Sequence, residues 1–286
     1  VLWTKWVGLV ENPQWYSGLY RNASRFAIQA FLNKTQKAKC PKPCGDVLGS
    51  GPAKYPVPKR GKEKNHPSVF CFSVARLGSE MDTMLMQRQS GSGIFSCDGY
   101  AVFSDADYDL DGIRTSKISS TVAGVSVDKT AANSQVFMRT WLTLLDGNQW
   151  WKYDFIAKVD PDAILFADRM RGHLAANTGQ DVFFLNCNKY IPETMYGALE
   201  VFSKQALGVY KSEHGRCEKA LPFAAWGEDR YMANCLEMLG VRTQADETNF
   251  LHDERCWGVD CGNHKAVAFH SFKHVNTWYR CWQKSK

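Results

Sequence analysis

The stretch FIAKVDPDAIL, residues 155–165, sets an apolar run around a lysine, then two aspartates split by a proline, then a second apolar run. Burying an unpaired carboxylate costs several kcal/mol, so Asp160 and Asp162 need a partner. A bound metal ion is one solution, and a tight acidic turn at a sheet edge is the other.

On either side of this stretch the chain alternates between strand and helix patterns. SVFCFSVA (68–75) is an apolar run rich in β-branched and aromatic residues, and 80–89 reads as a helix. GIFSCDGYAVFSD (93–105) reads as a second strand and a third. SQVFMRTWLTLL (134–145) puts Phe137, Trp141, Leu144 and Leu145 on one helical face, and DVFFLNCN (181–188) is another buried strand. Strands alternating with helices predict an α/β domain with a mainly parallel central sheet flanked by helices. In such sheets ligands bind beyond the carboxyl ends of the strands, and Asp160 and Asp162 sit at such an end.

Earlier in the chain the character differs. Residues 1–48 are rich in aromatics, contain the amphipathic stretch SRFAIQAFLNKT (24–35) and include KCPKPCG, so they read as an N-terminal extension with a short helix. Residues 49–67 are crowded with Gly, Pro and Lys and read as a linker, which leaves 68–286 as the main domain.

With 286 residues and 44% hydrophobic content the chain can bury a substantial core. A formal net charge of +6 suits anionic ligands such as nucleotides but is too weak to argue for nucleic acid. Ten cysteines form no CxxC pair, which argues against zinc. Together with two glycosylation sequons at Asn22 and Asn33 they favour an oxidising, secretory compartment. No apolar stretch approaches the length of a membrane span and the first residues do not read as a signal peptide, so a leader or anchor, where one exists, is expected outside these residues.

Neither a G-x-x-x-x-G-K-[ST] loop nor a G-x-G-x-x-G turn occurs between a strand and a helix, so the glycine-rich phosphate cradles are lacking. A divalent cation held by carboxylates is the remaining common way to hold a diphosphate, and Asp160-Pro161-Asp162 offers it. DADYDLDG (105–112) superficially suggests a calcium loop, but counting from Asp107 places Ile118 where the bidentate glutamate belongs, so it reads as an acidic loop.

WWKYDFIAKVDPDAIL (150–165), YGALEVFS (196–203) and WGEDRYMANCLEMLGV (226–241), in that order, resemble the glycosyltransferases of GT-A fold, and most of all the β-1,3-galactosyltransferase and Fringe-like group. The resemblance runs from about residue 68 to 275 and leaves the first 66 residues without a counterpart. It implies a Mn²⁺ or Mg²⁺ site and a UDP-sugar donor, with a glycan or glycoprotein as acceptor. Asp162 would bind the metal, and Asp160 would do so directly or through water or the ribose. A late histidine would complete the site, and of His270 and His274 the first is preferred because it closes the apolar run AVAF. Either histidine could equally be an ordinary surface or core residue.

The resemblance further points to Asp229, in the pair Glu228-Asp229, as the base that takes the acceptor proton. Plain helix capping is the alternative for that pair. Lys158 could pair with Asp160 or with phosphate, or simply snorkel from its strand. Trp226 could stack on a sugar or be buried. Donor base and ribose are expected at Val74, Ala75, Arg76 and Asp98, with Asp105 competing with the last. Pro161 departs from the family, whose middle position is an aspartate. A retaining enzyme of the same fold would keep the metal site and need no base at Asp229. A catalytically idle domain serving a larger assembly, docked through residues 1–48, is the reading from a different class.

Overall fold

The computed structural model describes residues 66–286 apart from 126–130, 148, 188–193, 246–248 and 257. The N-terminal extension with its expected helix, both sequons, Cys40, Cys44 and nearly all of the linker therefore lie outside the described residues.

The described chain is a mixed α/β fold. Its elements are β1 (Val69–Val74), α1 (Ser79–Ser90), β2 (Gly99–Ser104), β3 (Ser116–Lys117), β4 (Gly124–Val125), β5 (Ala131–Ala132), α2 (Ser134–Asp146), β6 (Phe155–Val159), β7 (Ile164–Leu165), α3 (Ala167–Leu174), β8 (Val182–Leu185), β9 (Leu199–Ser203), α4 (Lys204–Ala220), α5 (Glu228–Met238), β10 (Arg242–Ala245), β11 (Leu251–Asp253), β12 (Ala268–His270) and α6 (Val275–Ser285). A seven-stranded sheet has the order β10-β8-β9-β6-β1-β2-β3. Only β9 runs antiparallel to its neighbours; the pairs β1/β2, β1/β6, β2/β3 and β8/β10 are parallel. Central strands covered on both faces are mostly apolar, and VFCFSV and FIAKV are interrupted only by Ser73 and Lys158.

The amphipathic face expected of α2 is the buried one: Phe137, Trp141, Leu144 and Leu145 all enter the main core. The Trp141 ring meets Phe72 edge-on at 4.7 Å and Phe202 at 5.1 Å, joining the helix to two strands. Truncating so enclosed an aromatic to alanine costs about 3–5 kcal/mol. A second core gathers Met86 of α1, Ile164 of β7, Phe269 of β12 and Trp278 and Trp282 of α6.

One expectation is corrected. Residues 93–96 form a short 3-10 turn rather than a strand. Gly91 and Gly93 take φ of 61° and 56°, which stops α1 and folds Ile94 and Phe95 back into the core as a plug. Only 99–104 is left to form the second strand.

All eight cysteines among the described residues are paired, as Cys71–Cys97, Cys187–Cys256, Cys217–Cys235 and Cys261–Cys281. Four disulfides accord with an oxidising compartment. Among the described residues no helix is long and apolar enough to cross a membrane.

Candidate active site

The acidic stretch leaves β6 through a tight turn. Ala163 donates its amide to the Asp160 carbonyl at 3.0 Å, closing a four-residue turn with Pro161 in its second position. Proline's fixed φ suits that position and its lack of an N–H costs nothing there. The turn is held from three sides: Gln87 Nε2 donates to the Pro161 carbonyl at 2.8 Å, Phe272 N to the Asp162 carbonyl at 3.0 Å and Trp278 Nε1 to the Ala163 carbonyl at 3.0 Å. The chain then passes from the large sheet into a three-stranded one of order β11-β12-β7. Because β12 pairs antiparallel with β7, matching Phe269 to Ile164, His270 arrives beside the turn from 108 residues away in sequence, 270 − 162.

Asp160, Asp162 and His270 can each point one ligand atom so that all lie within 4.8 Å of one another. Nε2 of His270 is 3.4 Å from Asp162 Oδ1. Its Nδ1 donates to Asp253 Oδ2 at 2.6 Å, which fixes the ring's orientation. Burial would lower the His270 pKa, but hydrogen bonds to Asp162 and Asp253 raise it to about 9. Burial would raise Asp162, yet His270 and the Lys273 ammonium paired with it hold that carboxyl well below the usual range. Two carboxylates and an imidazole form a donor set that fits a divalent cation. Asp253 and Lys273 had no signal in the sequence beyond being charged residues near strand ends.

Lys158 is completely enclosed, with Phe137's ring 4.5 Å from its ammonium. It does not snorkel to solvent, which corrects that expectation, and it does pair with Asp160. It contacts Asp160 Oδ1 at 2.7 Å, Glu228 Oε1 at 2.5 Å and Glu200 Oε1 at 3.3 Å. Glu200 stands opposite Lys158 in the β6/β9 register and was missed in the sequence, though a lone acid inside the apolar run LEVFS is the same kind of signal as Lys158. Burial raises the Glu200 carboxyl well above its ordinary value.

The start of α5 is built against this cluster. Asn133 Oδ1 accepts from the Glu228 amide at 2.9 Å, and Gly197 donates its amide to Asp229 Oδ2 at 3.0 Å. A Cβ on Gly197 would sit 2.7 Å from Glu228 Oε1, so only glycine allows the approach. Burial first, and the Glu228 charge second, push Asp229 up to about 7. A carboxyl poised there exchanges a proton near neutral pH.

Val74, Ala75 and Arg76 end β1 at the same edge as Asp160. Arg76 is exposed and paired with Glu80, and the charges of Asp162 and Asp160 also act on it. Asp98 is a correction: with 93–96 turned, it precedes β2 and lies at the amino end of the sheet. There it accepts from Val69 N at 2.7 Å and pairs with Arg171 at 3.2 Å. Asp105, just after β2, is at the carboxyl edge and accepts from the Thr121 amide and hydroxyl. Trp226 is half-buried with the Arg230 guanidinium 4.2 Å over its ring.

No protein-family model and no curated protein matches the chain. Among solved structures, the chain is similar to a glycosyltransferase involved in the glycosylation of the major capsid of PBCV-1, at 10% identity and a TM-score of 0.48, over 76% of this chain and 100% of that one. Similarity at that level carries no argument about activity.

Proposed function

We propose that this protein is a metal-dependent, inverting glycosyltransferase of GT-A fold, of the β-1,3-galactosyltransferase and Fringe-like kind. It moves a sugar from a UDP donor to a glycan or glycoprotein acceptor in the secretory pathway, in the Golgi lumen or outside the cell. Residues 68–286 form its catalytic domain, and 1–48 form an extension, tethered by 49–67, that docks a protein partner. The observation that carries the reading is the convergence of Asp160, Asp162 and His270 at the carboxyl edge of a mainly parallel sheet.

Asp160, Asp162 and His270 would hold Mn²⁺ or Mg²⁺, and the imidazole favours Mn²⁺. A cation there supplies Lewis-acid neutralisation of the leaving diphosphate. Val74, Ala75 and Arg76 would meet the nucleoside. Asp229 takes the proton of the acceptor hydroxyl while that oxygen bonds to the anomeric carbon, and the anomeric carbon–phosphate oxygen bond breaks with its electron pair leaving on the diphosphate. Glu228, tied to Lys158, keeps a negative charge beside Asp229 and so strengthens it as a base.

Thermal unfolding with UDP, with and without Mn²⁺, tests the reading. A ligand at a hundred times its Kd stabilises by about 2.7 kcal/mol, so a Mn²⁺-dependent rise in Tm is expected. No rise with any nucleotide would sink the reading.

A further inference from the structure

Lys158 donates hydrogen bonds to two segments of the chain and forms an ion pair with a third. Asp160 Oδ1 at 2.7 Å belongs to the acidic turn, the Gly197 carbonyl at 2.6 Å to the approach to β9, and Glu228 Oε1 at 2.5 Å to the first turn of α5. Gly197 then passes its own amide to Asp229 Oδ2. Asp160 and Asp229 are thus linked through one buried cation and one glycine.

Glu200 completes the cluster without joining the link. Its Oε1 is 3.3 Å from the ammonium, and neither of its oxygens has a hydrogen-bond partner. A fully buried carboxylate left so would be costly, and burial accordingly raises the Glu200 carboxyl well above its ordinary value.

We propose that Lys158 is a positioning residue, which sets the Asp160 turn and the Glu228–Asp229 helix start in one fixed register so that both halves of the site are placed by the same ammonium. Its activity arm rests on the glycosyltransferase reading. The arrangement has the form of a buried polar group that specifies geometry, and acts on reacting groups only through others.

Lys158→Met alone would leave Asp160 and Glu228 facing each other, so the test compares Lys158→Met/Glu228→Gln with Glu228→Gln. Mn²⁺-dependent UDP affinity and UDP-sugar turnover are measured for each. The double variant should fall below the single one by roughly tenfold to hundredfold in both quantities. Leu207→Ala, a buried change in α4 that removes no polar group from the cluster, controls for lost stability and should alter neither quantity by more than about twofold. If the double variant does not fold, Lys158→Arg, which keeps the charge but changes its reach, should show the same paired loss against the unaltered protein. Equality with the comparator in either measurement, or an equal loss in Leu207→Ala, overturns the inference while leaving the functional reading standing. An unaltered protein that binds no UDP with Mn²⁺ overturns both.

Discussion

His270 Nδ1 lies 2.6 Å from Asp253 Oδ2, and the two residues are register partners at the ends of β12 and β11. The carboxylate holds the imidazole so that Nε2 faces Asp162, at 3.4 Å from Oδ1. Partners of this kind act on a metal through the ligand they orient, and losing one costs about tenfold to hundredfold in affinity. Asp253→Asn should therefore weaken Mn²⁺-dependent UDP binding by that factor in calorimetry. An affinity equal to that of the unaltered protein would remove Asp253 from the site.

Asp229 is raised to about 7, and only its ionised form can take a proton. Turnover should climb with pH and level off above about 7. Asp229→Asn should lose about 10²–10⁴-fold in turnover while keeping nucleotide affinity; undiminished UDP-sugar turnover would reject the assignment.

The same shift bears on stability. A carboxyl raised on folding binds its proton more tightly in the native state, so the native state loses ground as pH rises from the ordinary value near 4 to about 7. Asp229→Asn removes this dependence. Its Tm should exceed that of the unaltered protein at pH 8 and approach it at pH 5, and the opposite order in a melting series would contradict the burial of Asp229.

Gly197 and Gly172 separate close packing from open space. A methyl on Gly197 would press on Glu228 Oε1 at 2.7 Å and touch Asp229 Oδ2 at 3.4 Å, whereas one on Gly172, within α3, meets nothing within 4 Å. Gly197→Ala should cost about 1–3 kcal/mol of stability and reduce turnover. Gly172→Ala should add about 0.5–1 kcal/mol. Denaturant unfolding of both variants checks the pair of signs.

Cys217–Cys235 ties α4 to α5, the helix whose first turn carries Asp229. Replacing both cysteines with serine should cost about 2–4 kcal/mol. Peptide mapping without reduction should recover this link, and a free thiol at either position would contradict the pairing.

Much of the fold was legible because buried strands and amphipathic helices announce themselves by their apolar pattern. β1, β6, β8 and α2 were all readable in this way. The residues 93–96 were not, since an apolar run bounded by glycines suits a strand and a core plug equally well until Gly91 and Gly93 adopt their left-handed backbone.

The site divides along the same line. The sequence by itself determined the Asp160-Pro161-Asp162 turn, because Pro161 ends a strand and favours a turn wherever it stands, and the acidic start of α5. Tertiary structure alone decided that β12 lies on β7 and brings His270 to Asp162, and that Lys158 is enclosed by Asp160, Glu200 and Glu228 rather than turned to solvent. It also decided that Asp98 falls at the wrong end of the sheet. The reason is physical: local pattern fixes which face of an element is apolar, while strand order fixes which distant charges must share a buried space and offset one another.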